Sequence, residues 1–135
     1  RCFVGLNAST SAPTDVAPNT LLNILGCGWD SSDTTLQIYA AGSANSKINT
    51  GITVNRTANN SQVFELAMFA SPNGSDVTIQ VTDLSTGTVF STVISAVANL
   101  PANTTALNVY GYNSAGGTSS SISIELMSLY VETNY

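Results

Sequence analysis

The chain has 135 residues, 43% hydrophobic but only 8% charged, where an ordinary soluble domain carries about 25%; that length suits one domain with a real core and is short for two. The net charge is −5, with three cations, Arg1, Lys47 and Arg56, far apart in sequence. So sparse a positive charge argues against nucleic-acid binding and against attachment to anionic lipid, and no apolar run is long enough to insert into a membrane.

Short strands bounded by Gly, Pro, Asn, Asp and Ser clusters follow one another along the chain, with no helix-period stretch between them. Residues 1–7 open the domain and lead into a polar loop. Residues 20–27 resume the sheet, and a turn through Trp29, Asp30 and Asp33 enters a strand over 34–41. A further strand spans 47–54. Residues 62–70 form the clearest strand, and Asn73-Gly74 after it is a tight-turn signal. Over 76–83 the alternation puts Val77, Ile79 and Val81 inward and Thr78, Gln80 and Thr82 outward. The stretch 88–98 is apolar on both parities, which suits a strand covered on two sides or an interface. Residues 105–112 follow, and 121–133 end the chain with Ile122, Ile124 and Leu126 on one parity and Leu129 and Val131 on the other. A β-bulge near Leu126-Met127 would produce that switch. About eight short strands at even spacing indicate an all-β, jelly-roll-like antiparallel β-sandwich. Residues 1–135 read as a single such domain, the mature form or the C-terminal part of a longer protein.

The surface has to be coated by 18 Ser, 17 Thr and 14 Asn in place of charges. Hydroxyl and amide groups cost less to desolvate than ions, which favours oligomer interfaces and sugar contacts. Cys2 and Cys27 stand at the start of the first strand and the end of the second. Antiparallel pairing of those strands would bring the two ends together for a disulfide; the other reading is two reduced, buried thiols acting as small hydrophobes.

Histidine is absent, which removes His-based triads, His general bases and the commonest zinc sites. The eight carboxylates are scattered, most of them beside turns, where Asp is favoured for its hydrogen bonds to the backbone. They form no pair of the kind that glycoside hydrolysis requires, so no catalytic residue, cofactor or metal is expected. Asp30 and Asp33 carry oxygens that calcium accepts, but without the EF-hand spacing a solvated turn is the simpler reading. Asn7, Asn55, Asn59, Asn73 and Asn103 each begin an Asn-x-Ser/Thr triplet, which matters only in a eukaryotic secretory pathway. Phe64 and Phe90 read as core. Trp29 at a strand end either stacks on a sugar or packs at the rim of the core. Tyr110, Tyr112 and Asn113 form a Tyr-x-Tyr-Asn edge that either touches glycan or packs between strands.

In order, the segments 3–6 (FVGL), 12–39 (APTDVAPNTLLNILGCGWDSSDTTLQIY), 64–87 (FELAMFASPNGSDVTIQVTDLSTG) and 99–135 (NLPANTTALNVYGYNSAGGTSSSISIELMSLYVETNY) resemble the C-terminal domain of bacteriophage tail fibres and related phage receptor-binding proteins. Cys2, Cys27 and Trp29 depart from that pattern. The resemblance implies a homotrimeric virion domain, displayed on the particle surface, that attaches to the host without catalysis. Its partner would be a host surface glycan or neighbouring virion proteins. A capsid decoration protein and a stand-alone carbohydrate-binding module are the alternatives. The residues expected to meet a glycan are Trp29, Asp30, Asp33, Tyr110, Tyr112 and Asn113.

Overall fold

A computed structural model describes residues 1–12, 14–56, 62–72, 74–117 and 122–132. Among the described residues eight strands form, β1 (Cys2–Asn7), β2 (Ile24–Trp29), β3 (Thr35–Ala41), β4 (Asn45–Thr53), β5 (Phe64–Phe69), β6 (Val77–Asp83), β7 (Thr88–Ile94) and β8 (Asn108–Asn113). They make an antiparallel sandwich of a five-stranded sheet ordered β4-β3-β2-β1-β8 and a three-stranded sheet ordered β5-β6-β7. Consecutive strands pair as hairpins within each sheet, and the chain crosses between sheets after β4 and again after β7. Among the described residues no helix is long and apolar enough to cross a membrane.

The elements follow the expected order, and their ends shift for local reasons. β2 starts at Ile24 instead of residue 20 because Pro18–Thr20 forms a 3-10 turn and Asn23 takes a left-handed conformation at φ 53°, which Asn tolerates better than most residues. β7 stops at Ile94, ahead of a second 3-10 turn at Val97–Asn99. The turn after β5 closes through Gly74 N–H donating to Ser71 O; its Asn73 lies outside the described residues, as does Asn59.

Alternation along the strands builds the core between the sheets. Leu25, Cys27, Leu36, Ile38 and Ile52 of the large sheet meet Ile79, Val81 and Ile94 of the small one. Phe64 and Phe90 pack against this cluster, as expected, and so does Trp29. The large sheet is also buried on its outer face. Phe3, Ile24, Tyr39, Ala41 and Tyr112 form a second cluster there, with Leu21 packed against it. The loop between β1 and β2 provides the cover: Leu21 packs down, and Val16 O accepts the Tyr112 hydroxyl proton at 2.7 Å.

Of the two readings open for Cys2 and Cys27, the structure has buried, unbridged thiols. The strands pair antiparallel, but in a register that sets Cys2 opposite Trp29 and Val4 opposite Cys27. Such diagonal neighbours lie about 7–8 Å apart, beyond the roughly 4.4–6.8 Å Cα separation of a disulfide. Burial pushes both thiols up to about 12. Thiol reagents at pH 8 should therefore spare the folded chain and titrate two thiols after denaturation; no thiol released on unfolding would mean a bridge.

One expectation is corrected, at the end of the chain. Residues 122–132 form no strand, and no bulge arises at Leu126-Met127. A strand exists only when its backbone has a partner, and no backbone–backbone hydrogen bond joins this segment to another described residue.

Candidate functional site

The register of β1 gathers three strand ends. Cys2 pairs with Trp29 on one side and with Asn113 on the other, so Arg1, Asp30 and Ser114 meet just beyond them. The Arg1 main-chain nitrogen donates to Ser114 O, and the Ser114 N–H donates back to Arg1 O, both at 2.8 Å. From there the Arg1 guanidinium reaches two carboxylates, with Nε donating to Asp30 Oδ1 at 2.7 Å and Nη1 to Asp15 Oδ1 at 2.8 Å. Ser114 Oγ donates to the same Asp15 oxygen at 2.6 Å.

The turn after β2 closes on itself. The Asp30 N–H donates to Asp33 Oδ2 at 2.8 Å and the Asp33 N–H to Asp30 O at 3.1 Å. Lys47 Nζ donates to Asp33 Oδ1 at 2.7 Å, and the hydroxyl of buried Tyr39 donates to Asp33 Oδ2 at 3.1 Å. Arg56 Nη1 donates to Ser31 O at 2.8 Å. All three cations of the chain thus converge on one end of the sandwich.

These contacts set the charge state. Hydrogen bonds from Ser114 and Arg1 hold the Asp15 carboxyl below its ordinary range. Burial alone would raise Asp30 and Asp33, but donors outweigh it: the Ser31 N–H and Arg1 at Asp30, Lys47 and the Asp30 N–H at Asp33. Carboxylates held ionised in this way cannot serve as a glycosidase's proton donor at neutral pH. Their oxygens are taken by protein donors. Among the described residues, no group of three or more His, Cys, Asp or Glu side chains could hold a metal.

A fourth carboxylate, Asp83, is one that the sequence presents as an ordinary turn residue. It is buried between the sheets at the end of β6. Burial would raise it, but the Ser85 N–H at 2.8 Å and the Gln62 amide at 3.3 Å hold it below the ordinary value. Its one legible signal is the Asp83-Leu84-Ser85 spacing, in which an Asp side chain accepts from the backbone two residues on. Groups with depressed folded-state values add stability above the unfolded-chain value near 4 and lose it as pH falls through the folded-state values. The melting temperature should be flat from pH 7 to about 5 and fall steeply below about 4; Asp33→Asn should flatten that fall.

The six residues expected at a glycan site are distributed as follows. Trp29, Asp30, Asp33 and Asn113 lie at this same end, and the Asn113 amide donates to Ser123 O at 3.3 Å. Trp29 is half-buried on the sheet's inner face. Tyr110 and Tyr112 belong to the outer face, because they pair with Gly5 and Phe3. Tyr112 is buried there, while Tyr110 borders an open groove of about 370 Å³ lined by Asn7, Ser9, Val16, Leu21 and Leu22. The rings of Trp29 and the two tyrosines therefore face opposite sides of the large sheet. No protein-family model matches the chain, and no curated protein or solved structure matches it.

Proposed function

We propose that this chain is a non-catalytic, self-assembling β-sandwich that attaches a virion to its host, as the receptor-binding domain of a bacteriophage tail fibre. The assembly is a homotrimer on the particle surface. Apolar surface left bare by the single chain carries the reading. On the outer face of the small sheet, Phe69 is 64% exposed and Val89 and Val93 are each 54% exposed. Phe69 and Val93 lie in one cross-strand row, both level with Thr78. An exposed apolar patch on a sheet marks a contact surface, and 88–98 is the stretch whose two-sided apolar character favoured an interface. The engaged, ionised carboxylates and the absence of histidine support a role without catalysis.

The partner in this reading is a glycan of the host surface. Tyr110 and its groove offer an aromatic wall beside amide and hydroxyl groups, the combination that recognises a sugar ring. Binding of the labelled domain to a panel of bacterial cells and their purified surface polysaccharides, with release of reducing ends followed in parallel, tests it. Cell binding weakened by Tyr110→Ala, without cleavage, is the expected result. Polysaccharide cleavage, or binding to purified virions and to no cell surface, would overturn the reading, the latter in favour of a decoration protein.

A further inference from the structure

We infer that residues 122–132 are a donor strand, which leaves its own copy and adds to the β5 edge of a second copy of this chain. The inference rests on the reading of the chain as a self-assembling domain and specifies how the copies join.

The donor is a segment with strand chemistry and no partner strand among the described residues. Ile122, Ile124, Leu126, Met127, Leu129, Tyr130 and Val131 are all exposed, from 42% to 81%. No backbone–backbone hydrogen bond joins 122–132 to any other described residue; Ser123 O accepts from the Asn113 side-chain amide at 3.3 Å, a single contact that exchange would break. The segment contains no Gly, Pro or Lys to discourage pairing, and its apolar residues occupy both parities, so both of its faces call for cover.

The acceptor is the place where the sandwich is incomplete. The large sheet has five strands and the small one three. In the packing of the two sheets, β7 lies over β4 and β5 lies over β2. The inner face of β1 and β8 therefore extends past the small sheet and lacks a facing strand. Val4 and Leu6 are only half-buried there, and Val109, which pairs with Leu6, is 48% exposed. A fourth strand beside β5 would lie over these three residues. The β5 edge itself is regular and contains no Lys, Pro or Gly. Its Phe64, Leu66 and Met68 point inward half-buried, and its Phe69 points outward exposed.

The two parities of the donor match the two sides of that edge. Ile122, Ile124 and Leu126 suit the inner side, over Val4, Leu6 and Val109. Met127, Leu129 and Val131 suit the outer side, next to Phe69. The other three free edges, β8, β7 and β4, fit less well. A strand added to β8 would carry the large sheet further past the small one and leave Val4, Leu6 and Val109 without a facing strand. A strand added to β7 would project past β4, the last strand of the large sheet, and cover nothing. β4 carries Lys47 and an irregular register against β3. The tail is a substantial part of an interface. At on the order of 100 Å² of apolar surface per large side chain, the seven exposed ones represent roughly 400–450 Å². In a three-fold ring each copy donates to one neighbour and accepts from the other. Each interface therefore gains roughly that area per partner, about half of the roughly 800 Å² of a standard one. The exposed apolar face of the small sheet is available to add to it.

The test uses the full chain. In sedimentation velocity, Ile124→Lys and Leu126→Lys should weaken association at least about tenfold, because a charge cannot enter an apolar contact unpaired. Ser43→Lys, in the exposed turn between β3 and β4, should leave association unchanged. The contact is then located by oxidising full-length variants that pair Ala67→Cys with one cysteine at 124, 126, 127 or 129; the buried native thiols serve as an unreactive background. Covalent multimers from at least one pair are expected, and none from the same tail positions paired with Asn49→Cys on β4. A monomeric wild type, lysine variants that assemble as tightly as wild type, cross-links confined within one copy, or cross-links to β4 in place of β5 would each overturn the inference. Assembly that is insensitive to the tail leaves the attachment reading standing, and loss of cell binding by a chain that still exchanges its tail overturns only that reading.

Discussion

Phe3→Ala should lower the unfolding free energy by about 3–5 kcal/mol, the usual cost of emptying a buried aromatic site. Phe3 is 0% exposed although it lies on the outer face of its sheet. Its ring centroid is 6.3 Å from that of Tyr39 and 6.4 Å from those of Tyr110 and Tyr112. Removing it deprives three rings of a common neighbour and leaves the β1–β2 loop resting on a void. Chemical denaturation with the midpoint and slope fitted separately measures the loss. A change below about 1 kcal/mol would mean that the loop does not seal this face, since exposed substitutions fall in that range.

Gly26→Ala should be of comparable size, with the opposite cause. Gly26 pairs with Gly5, and Tyr110 and Tyr39 complete the row on either side. The two tyrosines thus flank a pair of residues without side chains, and Phe3 fills the slot. A methyl at Gly26 would come 2.3 Å from Val4 O and 3.0 Å from Phe3 Cζ. The first contact is with backbone, so relief requires strands β1 and β2 to part. Overpacking of this kind costs about 1–3 kcal/mol when side chains can yield, and more is expected where they cannot. Gly87→Ala makes the control. Gly87 has φ 75° and open space where the methyl would go, so its cost is backbone strain alone, about 1–2 kcal/mol. Equal losses at the two glycines would contradict the close approach of β1 and β2.

Local chemistry is legible in the sequence. Strict alternation over Val77–Asp83 gives the inward set Val77, Ile79 and Val81, because successive side chains of a strand must point to opposite faces. Turn residues mark the strand boundaries to within a few positions, and the absence of histidine with three scattered cations limits the available chemistry whatever the fold. Register and cover are not legible in this way. A two-residue offset between β1 and β2 decides that Cys2 faces Trp29 and not Cys27, and no single-strand pattern encodes it. The polar loop 8–22 has no apolar periodicity, yet it covers the outer face of the large sheet and turns Tyr112 from a surface aromatic into a core one. Arg1 meets Asp15, Asp30 and Ser114 only because three strand ends coincide. The end of the chain is the sharpest case. Alternation shows that Ile122, Ile124 and Leu126 can form a strand face, but a strand needs hydrogen-bonding partners for its own N–H and C=O groups, and only the tertiary structure shows that among the described residues no strand of the chain's own sheets pairs with this segment.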